Sequence, residues 1–281
     1  MQWTLLLLFW ILAPAPAATA HDQEPSSPPS AAEIADNVAI EQRLNAEVPP
    51  DLTFTDETGQ PVTLGRYFDG KPVLLALVYF DCPQLCPMVL DGLARSLRPL
   101  ALKAGADYRV VAISIDPDET ADLARSKKQS LMARSHLEPA GWHFLTGDRA
   151  AIDAVAQTVG FRYLANSKAE RDRYIHASGA IVLTPEGKVS RYLYGFDYPP
   201  RDLRLALIEA SGSRIGSPVD QLLLLCYQYD PAQGKYTLSI LNLLRASGAA
   251  TALGLAALVV LMVRRERHAG RVRVPSGGRS R

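Results

Sequence analysis

Cys82-Pro83-Gln84-Leu85-Cys86-Pro87 sets two thiols with three residues between them, directly after the apolar run Val73 to Phe80. A helix starting near Cys82 brings the second sulfur to the same face four residues later, and its N-terminal dipole favours thiolate over thiol. Two thiolates facing one point either share a soft metal ion or oxidise together. The two-residue spacing of common dithiol oxidoreductases is absent, and the extra residue changes the bite. The chemistry indicated is copper binding or redox exchange, not hydrolysis.

Reduced copper prefers thiolates, and an imidazole completes a three-coordinate site. His176 is placed for this, just before an expected strand Ala180 to Thr184 at the same sheet end as the cysteines. The other candidates are weaker. Cys226 sits in the apolar stretch Leu222 to Asp230 and reads first as a buried inert thiol, with a third sulfur ligand, a haem contact or an intermolecular disulfide as alternatives. His21 would become the amino terminus after signal cleavage, where amine and ring can chelate a metal. His136, His143 and His268 have no cysteine or histidine at ligand spacing. Asp116, Asp118 and Glu119 are explained by a helix N-terminus.

The elements that must position these residues follow from patterning. Leu52 to Leu64 alternates around Thr58-Gly59-Gln60-Pro61 and predicts a hairpin. Val73 to Phe80 reads as a central strand covered on both faces. Met88, Val89, Leu93, Leu97 and Leu100 predict an amphipathic helix opened by the cysteine pair. Arg109 to Ile115 is a second buried strand, Ala121 to Arg134 a helix, Trp142 to Leu145 a short strand and Ala150 to Val159 a helix. Ala180 to Thr184, Val189 to Tyr194 and a helix Arg201 to Ala210 complete the unit. This order gives the α/β class and a thioredoxin-like fold, a central mixed sheet flanked by helices with the cysteines at the carboxyl end of a central strand.

With 281 residues and a formal charge of +1, the chain has room for one ordinary domain plus appendages, and no electrostatic reason to bind nucleic acid. Its ends carry more information. Residues 1–20 resemble a signal peptide, with an apolar stretch Trp3 to Ala13 and Ala18-Thr19-Ala20 before His21. Residues 21–50 are rich in Pro, Ser, Ala and acidic side chains and read as a linker. Residues 51–211 form the domain, and 212–245 a membrane-proximal extension that lies against the bilayer or a partner subunit. The uncharged run 246–263, about 27 Å long as a helix, predicts a C-terminal transmembrane helix. Arg264, Arg265, Arg267, Arg271 and Arg273 follow it, so the basic tail 264–281 is expected in the cytoplasm and the domain in a bacterial periplasm, held at the inner membrane.

Tyr79-Phe80-Asp81-Cys82-Pro83-Gln84-Leu85-Cys86-Pro87, Ser114 to Thr120, Leu145-Thr146-Gly147-Asp148, and His176 followed by Pro185-Glu186-Gly187 resemble the Sco/SenC family. These are membrane-tethered copper proteins that assist assembly of the binuclear copper centre of cytochrome c oxidase. The resemblance implies that Cys82, Cys86 and His176 are the copper ligands and that the acceptor is a copper-bearing oxidase subunit. Two features depart from the family pattern. Ile175 precedes the histidine where an Asp is frequent, and the span is C-terminal where many members have an N-terminal one. Two other functions use the same thiols: a thiol-disulfide reductase, with Cys82 attacking and Cys86 resolving, or a copper or redox sensor.

Overall fold

The computed structural model describes residues 29–82, 85–166, 173–212, 227–230, 233–238 and 240–270. In chain order the elements are α1 (Ala31–Asn37), β1 (Ala39–Ile40), β2 (Thr53–Thr55), β3 (Pro61–Thr63), a 3-10 turn (Leu64–Tyr67), β4 (Val73–Val78), α2 (Leu85–Leu97), β5 (Arg109–Ser114), α3 (Ala121–Ser135), β6 (Trp142–Leu145) and α4 (Arg149–Thr158). They continue with β7 (Phe161–Ala165), β8 (Tyr174–His176), β9 (Gly179–Leu183), β10 (Val189–Tyr194), α5 (Pro200–Ala210), β11 (Tyr227–Asp230), β12 (Lys235–Leu238) and α6 (Ile240–Gly270).

The main sheet has the order β10-β9-β4-β5-β6. β4, β5 and β6 run parallel, and β9 and β10 return antiparallel. Every residue of β4 is buried, which is why its sequence is continuously apolar instead of alternating. α2 touches both α3 and α5, α3 packs on β6, and α5 packs on β9 and β10. This is the expected thioredoxin-like arrangement of a mixed sheet flanked by helices. Thr120 and Asp148 cap α3 and α4 by accepting the N–H groups of Leu123 and Ala151.

Three segments differ from the sequence expectation. The first is the end of the proposed linker. Ala39 and Ile40 pair with Arg162 and Phe161, Val48 is fully buried, and Asn45 and Ala46 exchange hydrogen bonds of 2.8 and 2.9 Å with Val189 of the edge strand β10. Residues 39–48 therefore cover a sheet edge, a stabler use of their few apolar side chains than a solvated tether. The second is a small sheet β1-β7-β8 that patterning did not reveal. His176 is the last residue of β8, paired with Tyr163, and does not lie in a loop before β9.

The third is the C-terminal extension. Within it, β11 and β12 form a hairpin that contacts α5. Buried Tyr236 donates its hydroxyl to Glu209 at 2.5 Å, its carbonyl accepts from Arg201 at 3.2 Å, and the Arg201 guanidinium lies 4.5 Å from the Tyr227 ring centre. α6 follows. Its segment Ser247–Arg265 is long and apolar enough to cross a membrane, with mean hydropathy 1.8.

Candidate metal centre

The chain leaves the sheet at Val78, and Tyr79 to Cys82 form a turn closed by the Cys82 N–H donating to the Tyr79 carbonyl at 3.4 Å. Cys82 is buried, with 6% exposure. α2 starts at Leu85, so the helix does not begin at Cys82. Pro83 accounts for this, since a following proline disfavours helical backbone at the residue before it. Cys82 thus precedes the helix and the backbone of Cys86 lies in its first turn, where the dipole favours a thiolate. Residues 83 and 84 and the Cys86 side chain lie outside the described residues.

His176 reaches the same sheet end on β8. The β4 and β9 pairing runs from Val73 opposite Leu183 to Leu75 opposite Ile181, so the start of β9, and His176 just before it, face the carboxyl end of β4. The imidazole is 6% exposed. It sits edge-on to Tyr79, with ring centres 6.0 Å apart, and 5.9 Å from Phe161. Nδ1 is 2.9 Å from the Ala177 carbonyl. A carbonyl only accepts, so Nδ1 carries the proton, and Nε2 is the ring nitrogen whose lone pair has the chemistry of a metal ligand. Burial pushes the His176 pKa down, opposed by the Ala177 hydrogen bond and the charge of Cys82. The ring is therefore neutral at neutral pH and within electrostatic reach of the sulfur.

With that geometry in place, the SCO1/SenC family model matches residues 40–207. The chain belongs to the SCO1/SenC family. It is 27% identical over 164 residues to the SCO1 protein homolog of Bacillus subtilis strain 168, covering 58% of this chain and 81% of that one. A Stutzerimonas stutzeri protein proposed to bind copper is 24% identical over 145 residues, covering 51% of this chain and 68% of that protein. Among solved structures, an Aquifex aeolicus protein provisionally assigned to electron transfer superposes with a TM-score of 0.54 at 24% identity, covering 61% of this chain and 96% of that one. The family match begins at residue 40, inside the docked segment 39–48.

Other residues of this SCO1/SenC domain support the site in ways the sequence did not suggest. Glu119 was attributed to a helix N-terminus, but α3 begins at Ala121 with Thr120 as its cap. The Glu119 side chain is buried and turns back to the cysteine loop. Its Oε2 accepts the Phe80 N–H and its Oε1 the Asp81 N–H, both at 2.7 Å, and the Ser114 hydroxyl donates to Oε2 at 2.6 Å. Burial pushes the Glu119 pKa up against these hydrogen bonds. Lys127 donates to the Phe80 carbonyl at 2.7 Å. Asp116, fully buried, accepts the Asp118 N–H at 3.0 Å and pairs with Arg173 at 2.6 Å. Arg173 adjoins Tyr174, the first residue of β8, so this pair ties the strand carrying His176 to the loop after β5. The contacts of Glu119 and Lys127 with Phe80 and Asp81, and of Arg173 with Asp116, join residues far apart in sequence, which local patterning does not reveal.

Of the remaining candidates, the two described histidines are not brought to Cys82. His136 is the left-handed C-cap of α3. His143 packs against Tyr67 with ring centres 4.6 Å apart, and its Nε2 is 3.4 Å from Arg109 at the opposite, amino-terminal end of β5. His21 and Cys226 lie outside the described residues, as does the side chain of His268. Ile175, where an Asp is frequent in the family, pairs with Leu164 of β7. Among the described side chains no cluster of three Cys, His, Asp or Glu converges.

Proposed function

We propose that this protein is a membrane-anchored copper metallochaperone, in which Cys82 and Cys86 bind the ion as thiolates and Nε2 of His176 closes the site. The ion is cargo, passed by ligand exchange to the copper-bearing subunit of cytochrome c oxidase or to another copper acceptor. The observation that carries the reading is the place of the His176 ring: it is buried at the cysteine end of the sheet with Nδ1 on the Ala177 carbonyl, and the charge of Cys82 acts on it. Two sulfurs and a neutral imidazole form a donor set suited to reduced copper. Membership of the SCO1/SenC family and similarity to a protein proposed to bind copper point the same way. Loading requires the reduced pair, since a disulfide has no thiolate to offer.

The apolar helix at 247–265 would hold the donor near a membrane oxidase. The arginines after it and the leader-like residues 1–20 support a periplasm-facing domain and a cytoplasmic tail.

Copper retained after dialysis of the reduced protein tests the assignment. Wild type is expected to keep a stoichiometric amount. Cys82→Ser and Cys86→Ser should lose it, and His176→Ala should bind roughly 10–100-fold more weakly, taking as a floor the cost of removing an outer-shell partner. Unchanged affinity in His176→Ala would remove the imidazole from the site. A reductase acting through the same thiols gives Nε2 no task. Rapid turnover of an oxidised oxidase-subunit peptide in metal-free buffer, with negligible copper affinity, would establish that function instead.

A further inference from the structure

We propose that Glu119 is a positioning residue for Cys82, gripping the turn that precedes it so that the thiol is presented to His176 at a fixed distance. The turn from Tyr79 to Cys82 is closed by the Cys82 N–H to Tyr79 carbonyl bond. Its two central residues, Phe80 and Asp81, have left the ladder of β4, so their N–H groups have no strand partner. Both donate to the one carboxylate of Glu119 at 2.7 Å. A charged acceptor makes such bonds shorter and stronger than neutral ones. The carboxylate is itself fixed from behind by the Ser114 hydroxyl at 2.6 Å, on the last residue of β5. Lys127 of α3 holds the Phe80 carbonyl from the other side of the peptide.

The residue at the first corner of this turn, Tyr79, carries the ring that packs edge-on against His176. One turn therefore sets both the sulfur and the aromatic wall of the imidazole. Glu119 is 7% exposed, and among the described residues its carboxylate bonds to this turn and to Ser114 and not to the side chains of Cys82 or His176. The role is thus indirect, exerted through the backbone. The inference rests on the functional reading above only in its copper measurement; the placement of Cys82 is testable without metal.

The experiment uses the full-length chain, reduced and metal-free, and follows iodoacetamide labelling of Cys82 by peptide mass spectrometry, with Cys226 as reference in the same sample. Glu119→Gln leaves one acceptor oxygen where two N–H groups and a hydroxyl need partners. Cys82 labelling should then rise about three- to tenfold relative to Cys226, the effect of losing one ordinary hydrogen bond. Glu119→Asp, one methylene shorter, should move in the same direction by less, and it decides the matter if Glu119→Gln does not fold. After copper loading, the sulfur-to-copper charge-transfer band should shift in the same variants. An equal rise at both cysteines, or a folded variant with wild-type Cys82 labelling and an unshifted band, would overturn the proposal. Failure of wild type to bind copper would overturn the chaperone reading alone, since the metal-free labelling still decides the role of Glu119.

Discussion

At the scale of single residues, environment assigns different tasks to side chains of the same type. His176 and His143 are both shielded from water, and burial lowers the pKa of each. Only His176 keeps a ring nitrogen at the cysteine end of the sheet. His143, pushed down to about 4, stays neutral in the fold at a pH where the unfolded chain would protonate it. Its contribution to stability is therefore complete above about pH 6.5 and is lost as pH falls towards about 4. A loss of roughly 1–3 kcal/mol across that window is expected from this group, and His143→Phe should flatten it. Denaturant unfolding at a series of pH values checks this; an equal slope in the variant would show that other groups are responsible. Cys82, Cys86 and His176 stand out in the sequence because spacing and strand context single them out. Glu119 was not, because its neighbours in sequence suggested a helix start, whereas its partners lie 38 and 39 residues away.

At the scale of elements, β4, β5 and α2 were legible for the same reason that they matter: burial on both faces demands unbroken apolar runs, and one-sided burial demands helical spacing. β7 and β8 were missed because they are short, half-buried and mixed in composition, and they find their order only by pairing with each other and β1. The start of α2 was displaced by Pro83, a local rule that the apolar pattern conceals. Further along α2, Gly92 faces the loop after β10. A Cβ there would lie 1.9 Å from the Phe196 carbonyl oxygen, a backbone atom that cannot swing aside. Gly92→Ala should therefore destabilise the protein by about 1–3 kcal/mol, although alanine is intrinsically better in a helix by ~1 kcal/mol. Chemical denaturation measures the difference, and a stabilised variant would mean that the loop moves freely away from α2.

At the scale of the whole molecule, the apolar helix was legible from composition, but its attachment was not. The hairpin between domain and helix is held by contacts among Arg201, Asp202, Glu209, Tyr227 and Tyr236, and polar side chains in a linker give no warning of such docking. Tyr236→Ala should cost about 3 kcal/mol of local stability, the scale for truncating a buried aromatic ring. Tyr236→Phe, which keeps the ring and loses the hydroxyl's contacts with Glu209 and Arg191, should cost about 1 kcal/mol. Limited proteolysis should show faster cutting around residues 227–238 in the alanine variant. Unchanged cutting would mean that the hairpin is held by something other than Tyr236.

The measurement that tests the copper site most directly is X-ray absorption at the copper edge on reduced, full-length protein, wild type beside His176→Ala. The predicted result is a first shell of two sulfurs and one imidazole nitrogen in wild type, with the imidazole signal gone in the variant. A wild-type shell of sulfur alone, or an imidazole signal that survives in His176→Ala, would contradict the assignment of Cys82, Cys86 and His176.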